Sequence, residues 1–218
     1  MIVLNIKGII IEYINTYDNN TPIFIDDIKE YVLKNIYDNI DEKQIYNNIN
    51  VIIYRLLKDK KLKAKYRGVY FKPTQTLFGE STISNKDLIE RKFLLDKDGN
   101  VKGYIIGAKL YNMTGLTTQV PNITDIVTNE CKYHKIYDAN LRVNIYPPKI
   151  EINNDNYIYL QLLDIIENKD SINIEVDNFN DILFKIIDDN KLEFEKLIKY
   201  ARITNNKKAI EMLVAIAR

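Results

Sequence analysis

Hydrophobic residues recur at three- and four-residue intervals in several parts of the chain, most clearly from Asp41 to Lys58. This spacing places them on one stripe of a helix at ~100° per residue, which predicts an amphipathic helix with that stripe in a core. The apolar stripe consists of Ile45, Ile49, Ile52, Ile53 and Leu56. The opposite face is polar and is expected to be exposed. It consists of Lys43, Asn47, Asn50, Tyr54 and Lys58, with Gln44 and Val51 at its margin.

The next segment alternates between apolar and polar residues, a period of two that predicts a β-hairpin. Gly68 permits its tight turn, and Pro73 closes the second strand. In the first strand, Leu62, Ala64 and Tyr66 alternate with Lys63, Lys65 and Arg67. In the second, Val69 and Phe71 alternate with Tyr70 and Lys72.

Two further helices are predicted upstream. The first runs from Ile2 to Tyr17 and ends at the polar segment 18–22, and residues 23–25 are extended. Asp26 can cap a second helix that runs to about Asn35, and Asp41 can cap the third. The inward positions are Ile2, Ile6, Ile9, Ile10, Tyr13, Ile14 and Tyr17 in the first helix, and Ile28, Tyr31, Val32 and Leu33 in the second. This order of elements predicts a winged helix-turn-helix domain over residues 1–73, whose third helix enters the DNA groove.

Residues 74–218 are expected to form a second domain, a small mixed α/β region followed by a helical tail, so the predicted fold class is α+β. Strands are predicted at 103–106, 123–128 and 141–146, with a helical turn at 108–114 that Gly115 ends in the left-handed conformation. Helices are predicted near 156–168, 178–188, 191–202 and 205–217. Their expected caps are Asn178, Asn190 and Asn205.

Positive charge concentrates in the third helix and the hairpin. Between Arg55 and Lys72 the only acid is Asp59, although the whole chain has 31 Lys+Arg against 30 Asp+Glu. Contact with phosphates is the interpretation that we favour for this local excess of positive charge. The alternative is a hairpin whose lysines keep a sheet edge soluble. The basic residues are Arg55, Lys58, Lys60, Lys61, Lys63, Lys65, Arg67 and Lys72.

The exposed helical face has side chains suited to the major groove. Asn and Gln can bond adenine through two hydrogen bonds, and Lys can bond guanine or phosphate. A solvated surface without a ligand is the alternative for the helix taken alone. With the hairpin added, the predicted partner is double-stranded DNA. The predicted DNA-binding residues are Lys43, Gln44, Asn47, Asn50, Tyr54, Lys58, Lys63, Lys65 and Arg67.

The sequence offers little catalytic, cofactor or metal chemistry. Cys131 and His134 are too few ligands for a zinc site, and the acid pairs at 26–27 and 188–189 are typical of caps or solvated surface. Gly103 and Gly107 lack the pattern of a phosphate-binding loop. We therefore expect a protein that is not an enzyme and that binds no cofactor or metal. A lone cysteine, and apolar runs shorter than the ~20 residues of a membrane span, predict a cytoplasmic protein without membrane contact.

Two stretches resemble the AbiEi-type antitoxins of bacterial abortive-infection toxin-antitoxin systems. They are RLLKDKKLKAKYRGVYFKP and YIIGAKLYNMTGLTTQVPNITDIVTN, and the resemblance spans roughly residues 2–147. It implies a transcriptional repressor that binds inverted repeats at its own promoter and counteracts a nucleotidyltransferase-like toxin without a stable complex. Palindromic sites imply a monomer in solution or a dimer on DNA. The most specific positions are Gly107, Asn112, Gly115, Leu116, Thr117, Thr118, Gln119 and Pro121.

Several alternatives stay open. Thr117, Thr118 and Gln119 can serve the turn between Gly115 and Pro121, or they can form a site for a ligand or the toxin; the turn role is favoured. The winged helix could be a protein-interaction module without specific DNA binding, because fold does not settle function. An enzyme that acts on nucleic acid through a divalent metal is the third possibility, and no acidic cluster supports it.

Overall fold

The structure is a computed structural model that describes residues 2–36, 41–77, 79–171, 175 and 178–216. The chain has a mixed α+β fold, as predicted, with more helix than strand. It divides into two compact units, of which the first ends at Leu88 and the second begins at Ile89.

In its described residues, the first unit begins with three helices and a small sheet, in the predicted order along the chain. A second short hairpin and most of a short fourth helix follow. The elements are α1 (Ile2–Asn15), β1 (Ile23–Phe24), α2 (Ile25–Asn35), α3 (Glu42–Lys58), β2 (Lys63–Tyr66), β3 (Val69–Phe71), β4 (Gln75–Thr76) and β5 (Gly79–Glu80). The β4–β5 hairpin follows Pro73 and belongs to this unit.

The core of the first unit is built from isoleucines of the three helices. All five residues predicted to face inward in α3 are buried, as are Ile28 and Val32 in α2. The predicted aromatic positions Tyr13, Tyr17 and Tyr31 are only partly buried. The ring of Tyr13 stacks on that of Tyr31 and meets that of Tyr17 edge to face, and the hydroxyls of Tyr13 and Tyr17 lie 2.6 Å apart. Leu33 is also only partly buried. In α1 the buried residues are Ile6, Ile9, Ile10 and Ile14, whereas the predicted position Ile2 has a side chain outside the described part.

The predicted hairpin is present, and β1 adds a third strand to it. The strand order is β1-β3-β2, and both pairings are antiparallel. Gly68 has φ +84°, a left-handed conformation that suits glycine at the turn. A register shift between Ala64 and Tyr66 interrupts the ladder of β2.

Asp26 does not cap α2, contrary to the prediction. The helix begins one residue earlier, at Ile25, directly after β1. The main-chain N–H of Ile25 donates to Gly68 O at 2.9 Å, so the sheet satisfies a donor at the start of this helix. Asp26 lies in the first turn, where its carboxylate favours the positive helix end and pairs with Lys29.

The second unit combines a four-stranded sheet with a helical region. α4 (Asn85–Ile89) and a π-helical turn (Glu90–Leu94) lie where the chain divides. The sheet has the order β6-β7-β9-β8, with β7 and β9 parallel and the other pairs antiparallel. The elements are β6 (Gly103–Ile106), α5 (Gly107–Met113), β7 (Thr124–Thr128), β8 (Ile136–Asp138), β9 (Val143–Tyr146), α6 (Tyr157–Asn168), α7 (Phe179–Asp189), α8 (Phe194–Ile203) and α9 (Lys207–Ile216).

The predicted elements of this unit are largely confirmed, but β8 is absent from the sequence analysis. Its three residues are too few to show a clear alternation, and β9 supplies its hydrogen-bond partners. Gly115 ends α5 with φ +79°, as predicted. The last helix is described only to Ile216, so residue 217 of the prediction lies outside the described residues.

Two of the predicted caps in the helical tail are wrong. Asn190 is at the C-terminal end of α7 and does not begin α8, which starts after Glu193. The N-terminal cap of α9 is formed by Asn206, whose Oδ1 accepts the N–H of Ala209 at 3.0 Å. Asn205 has φ +52° and only shapes the preceding turn, a conformation that asparagine tolerates.

Candidate nucleic-acid interface

The helix α3 has one face in the core and the opposite face in water. We call Lys43, Gln44, Asn47, Asn50, Tyr54 and Lys58 the polar face of α3; all six are exposed. Tyr54 keeps 67% of its surface accessible, whereas Ile49 on the opposite side keeps none. The predicted division of this helix into a buried and an exposed face is therefore confirmed.

The side chains of the polar face have no intramolecular hydrogen bond or ion pair with the residues that the structure describes. This absence contrasts with α2, where Lys29 pairs with Asp26 and Lys34 with Glu30. An exposed amide without a partner is fully hydrated, and it can exchange that water for a ligand without breaking a bond inside the protein.

The ends of α3 agree with the sequence only in part. Asp41 is at the N-cap position, but its side chain makes no cap bond; its main-chain oxygen accepts the N–H groups of Gln44 and Ile45. Glu42 in the first turn and Lys58 in the last match the helix dipole. After Asp59, Lys60 takes a left-handed φ of +57°. The exposed cations at this end are Arg55, Lys58, Lys60 and Lys61.

The three predicted cations of the basic hairpin, which we define as β2, β3 and their turn, lie in different environments. Lys63 forms an ion pair with Glu80 of β5. Lys65 is half-buried, and its Nζ donates to Ile83 O at 3.0 Å. Arg67 is exposed and has no ion pair with a described residue. Of the three, Arg67 is therefore the most available to an external anion.

Glu80 is a neighbour of the basic hairpin that the sequence did not indicate. It lies outside the basic segment 55–72, and only the fold of the β4–β5 hairpin brings it to Lys63. The pKa of its carboxyl lies below the ordinary value because Lys63 donates a hydrogen bond to it and adds positive charge nearby. The local excess of positive charge is thus smaller than the sequence of the hairpin indicates.

The segment LTTQVP in the second unit forms a carboxylate-binding loop, and the carboxylate comes from the chain itself. The main-chain N–H and the hydroxyl of Thr118 both donate to Glu175 Oε2 at 2.7 Å, and Gln119 Nε2 lies 3.4 Å from Oε1. These donors hold the pKa of Glu175 below its ordinary value. Thr117 also serves the turn, because its hydroxyl accepts the N–H of Gln119 at 3.2 Å. The favoured turn role fits Thr117, whereas Thr118 bonds a distant residue.

Cys131 and His134 do not form a nucleophile pair through their side chains. The thiol of Cys131 is buried and donates to the main-chain oxygen of His134 at 3.2 Å, while the His134 side chain is exposed. Burial raises the pKa of this thiol. Within the described ranges, no three His, Cys, Asp or Glu residues are grouped to hold a metal ion. No helix there has the length and apolar character of a membrane span.

Asp164 of α6 is a buried titratable group that the sequence analysis missed. Its Oδ2 atom is buried without a well-aligned hydrogen-bond partner, and Oδ1 accepts from Asn168 Nδ2 at 3.1 Å. Burial, with repulsion from Glu167, raises the pKa of this carboxyl to about 6, although the N–H of Gly107 opposes the rise. The position of Asp164 in the helical pattern of the sequence does not indicate that it is buried, because its burial depends on how β6 packs on α6.

Comparisons with known proteins add no relative. No protein-family model matches this chain, and a search of curated proteins finds no significant match.

Proposed function

We propose that the first unit is a winged helix-turn-helix that binds duplex DNA, and that the protein is a transcriptional repressor of its own promoter. The observation that supports this most directly is the polar face of α3, which is exposed, rich in amides and without intramolecular partners among the described residues. The element order α1, β1, α2, α3, β2, β3 agrees with this class of domain.

In this proposal the polar face of α3 enters the major groove and the cations beside it contact phosphates. Arg67 and the exposed residues Lys58, Lys60 and Lys61 are the phosphate contacts that we favour. Each contact releases condensed counterions, which favours binding and makes it depend on salt. Lys63 and Lys65 are weaker candidates, because Glu80 and Ile83 O already accept from them.

We further propose that the repressor is the antitoxin of an abortive-infection toxin-antitoxin pair and counters a nucleotidyltransferase-like toxin. The support is the resemblance of residues 2–147 to AbiEi-type antitoxins. Such a role places the protein in the bacterial cytoplasm, as a monomer in solution or a dimer on inverted repeats. A nucleotidyltransferase reading frame beside the gene, whose toxicity this protein suppresses, is the expected genetic result. Failure to suppress that toxicity would contradict the antitoxin role and leave DNA binding intact.

Mobility-shift titration with the DNA upstream of the gene tests the binding proposal. The logarithm of the affinity should fall with the logarithm of the salt concentration, with a slope of ~0.9 per phosphate contacted. Lys199, an exposed lysine of α8, supplies the control: Lys199→Ala should leave the slope unchanged. A response that does not depend on salt would contradict the proposal. A stoichiometric protein partner without any DNA shift would support an interaction module instead.

A further inference from the structure

Three exposed amides lie on the polar face of α3: Gln44, Asn47 and Asn50. A side-chain amide presents a donor and an acceptor side by side. Adenine offers the matching pair in the major groove, an acceptor at N7 and a donor at N6, whereas guanine offers two acceptors. Because these amides have no hydrogen bond to a described residue, both groups of each are available. The amides therefore favour adenine over guanine.

Two apolar side chains are exposed beside these amides. Tyr54 is 67% exposed and Val51 is 48% exposed, whereas the other large apolar residues of α3 are buried or partly buried. The methyl group of thymine is the apolar group that the major groove offers, and apolar side chains contact it. A thymine opposite each selected adenine would place such methyl groups next to Val51 and Tyr54.

Positive charge is absent from the middle of this face. Residues 44–54 include no lysine or arginine; Lys43 lies at the start of the helix, and Arg55 and Lys58 lie in its last turn. Lysine and arginine are the side chains that commonly bond guanine, and their absence removes the main contact that would favour G·C pairs. At a helical rise of ~1.5 Å per residue, residues 44–54 span about 15 Å, the length of about four base pairs.

We infer that α3 selects a run of about four A·T base pairs in each half-site, with adenines bonded by the amides and thymine methyl groups packed against Val51 and Tyr54. This inference rests on the proposed function and goes beyond it by naming the bases. Lys43 and Lys58 then contact the phosphates on either side of the run.

Selection of binding sites from random duplexes by the full chain provides the first test. The recovered sites should share a run of about four A·T pairs, and a G·C pair within it should weaken binding by about 5- to 150-fold. In the recovered site, 7-deazaadenine removes the N7 acceptor at a bonded adenine, and uracil removes a thymine methyl group. The first change should weaken binding at least several-fold, and the second by about fourfold for each methyl group that is buried.

Substitution of one amide gives the second test. Asn47→Ala should abolish the preference for adenine over guanine at one position of the site and leave binding to unrelated duplexes unchanged. Asn15→Ala is the matched control, because Asn15 is also an exposed helical asparagine of the first unit but lies outside α3. Circular dichroism of both variants should match that of the wild type.

The outcomes separate this inference from the proposed function. Salt-dependent binding without any A·T run, or with guanine preferred at the selected positions, would overturn the inference and leave DNA binding in place. Unchanged base preference in Asn47→Ala would remove Asn47 from the contact. Absence of any binding to duplex DNA would overturn both.

Discussion

The polar face of α3 and the loop around Thr118 are both rich in Asn, Gln or Thr, but their side chains differ in what they bond. In the loop, two donors of Thr118 bond the Glu175 carboxylate, which comes from 57 residues further along the chain. On α3, Asn47 and Asn50 bond no described residue. The loop therefore already has an anionic partner, whereas the helix face is available to a partner from outside.

Two other asparagines, both in the second unit, extend the same contrast. Asn206 is 2% exposed, and its Nδ2 donates to Leu163 O at 2.9 Å. Asn129 exchanges two hydrogen bonds with the main chain of Ile152. Amides bonded to the main chain in this way stabilise the fold, because their loss leaves main-chain groups without partners. An exposed amide contributes little to stability, because water bonds it equally well in the folded and unfolded chain.

The largest effect that we predict tests this contrast through stability. Asn206→Ala should lower the free energy of unfolding by about 3 kcal/mol, because Leu163 O and the N–H of Ala209 both lose their partner. Asn47→Ala should change it by less than about 0.5 kcal/mol. Urea denaturation of the full chain measures both. Equal effects would contradict the division between structural and available amides.

The next effect concerns Asp164, the carboxyl of the second unit whose bonding is incomplete. Its folded-state pKa is raised from 3.8 to about 6, so the folded state binds this proton more tightly and loses stability as the pH rises through that window. The free energy of unfolding should fall by about 2–3 kcal/mol across this window. Tyr104, Glu167 and Lys149 line the same cavity as this carboxyl, of about 200 Å³. Burial, with a smaller contribution from the charge of Asp164, also raises the pKa of Tyr111.

Asp164→Asn should remove this dependence on pH. The free energy of unfolding of the variant, measured relative to that of the wild type, should be about 2–3 kcal/mol higher at pH 8 than at pH 4. Asp188→Asn, a change at an exposed position of α7, is the matched control and should show no such gain. Denaturant titrations at the two pH values measure it. Parallel pH profiles for wild type and Asp164→Asn would show that the carboxyl is ionised normally.

A smaller effect distinguishes the cations of the basic hairpin. Arg67→Ala should weaken binding to all duplexes several-fold and lower the salt slope by about 0.9, since one phosphate contact is lost. Lys63→Ala should weaken binding less than Arg67→Ala does, because Glu80 already neutralises Lys63. Glu80→Gln should strengthen binding by releasing Lys63. Mobility shifts at several salt concentrations measure all three. A larger loss from Lys63→Ala than from Arg67→Ala would reverse our order of the two residues.

The smallest effect concerns the loop around Thr118. Glu175→Gln weakens the charge-assisted bonds from Thr118, so the melting temperature should fall slightly at neutral pH. Because the pKa of Glu175 is lowered in the folded state, this contribution is present above the unfolded pKa and is lost as the pH falls through the folded one. The difference from wild type should therefore vanish in acid. DNA binding should be unchanged, and a change there would make the loop part of the DNA-binding surface.

The sequence predicted most helices of both units because each must bury one stripe of apolar residues. In α3, the spacing of Ile45, Ile49 and Ile52 alone was enough to assign the buried side, and the structure agrees. Short elements were harder. A strand of three residues, such as β8, has no room for a period, and it forms because β9 lies beside it.

Helix caps were predicted less well than the helices. Asp26 and Asn205 are of the residue types that favour a cap. The start of α2 is instead bonded to a main-chain group of the hairpin, and α9 is capped by the side chain of the next residue, Asn206. Ile25 donates to Gly68 O, which comes from the turn of a hairpin 43 residues away. No local pattern indicates such a partner.

The sequence by itself determined which side chains of α3 face water and where positive charge is dense along the chain, because both depend on local spacing. Only the tertiary structure decided which of these charged and polar groups are available. Lys63 and Thr118 bond carboxylates from distant segments, and Asp164 is buried by packing between elements. Whether such a group is available to a ligand depends on contacts between residues far apart in the chain. The spacing of hydrophobic residues does not indicate those contacts.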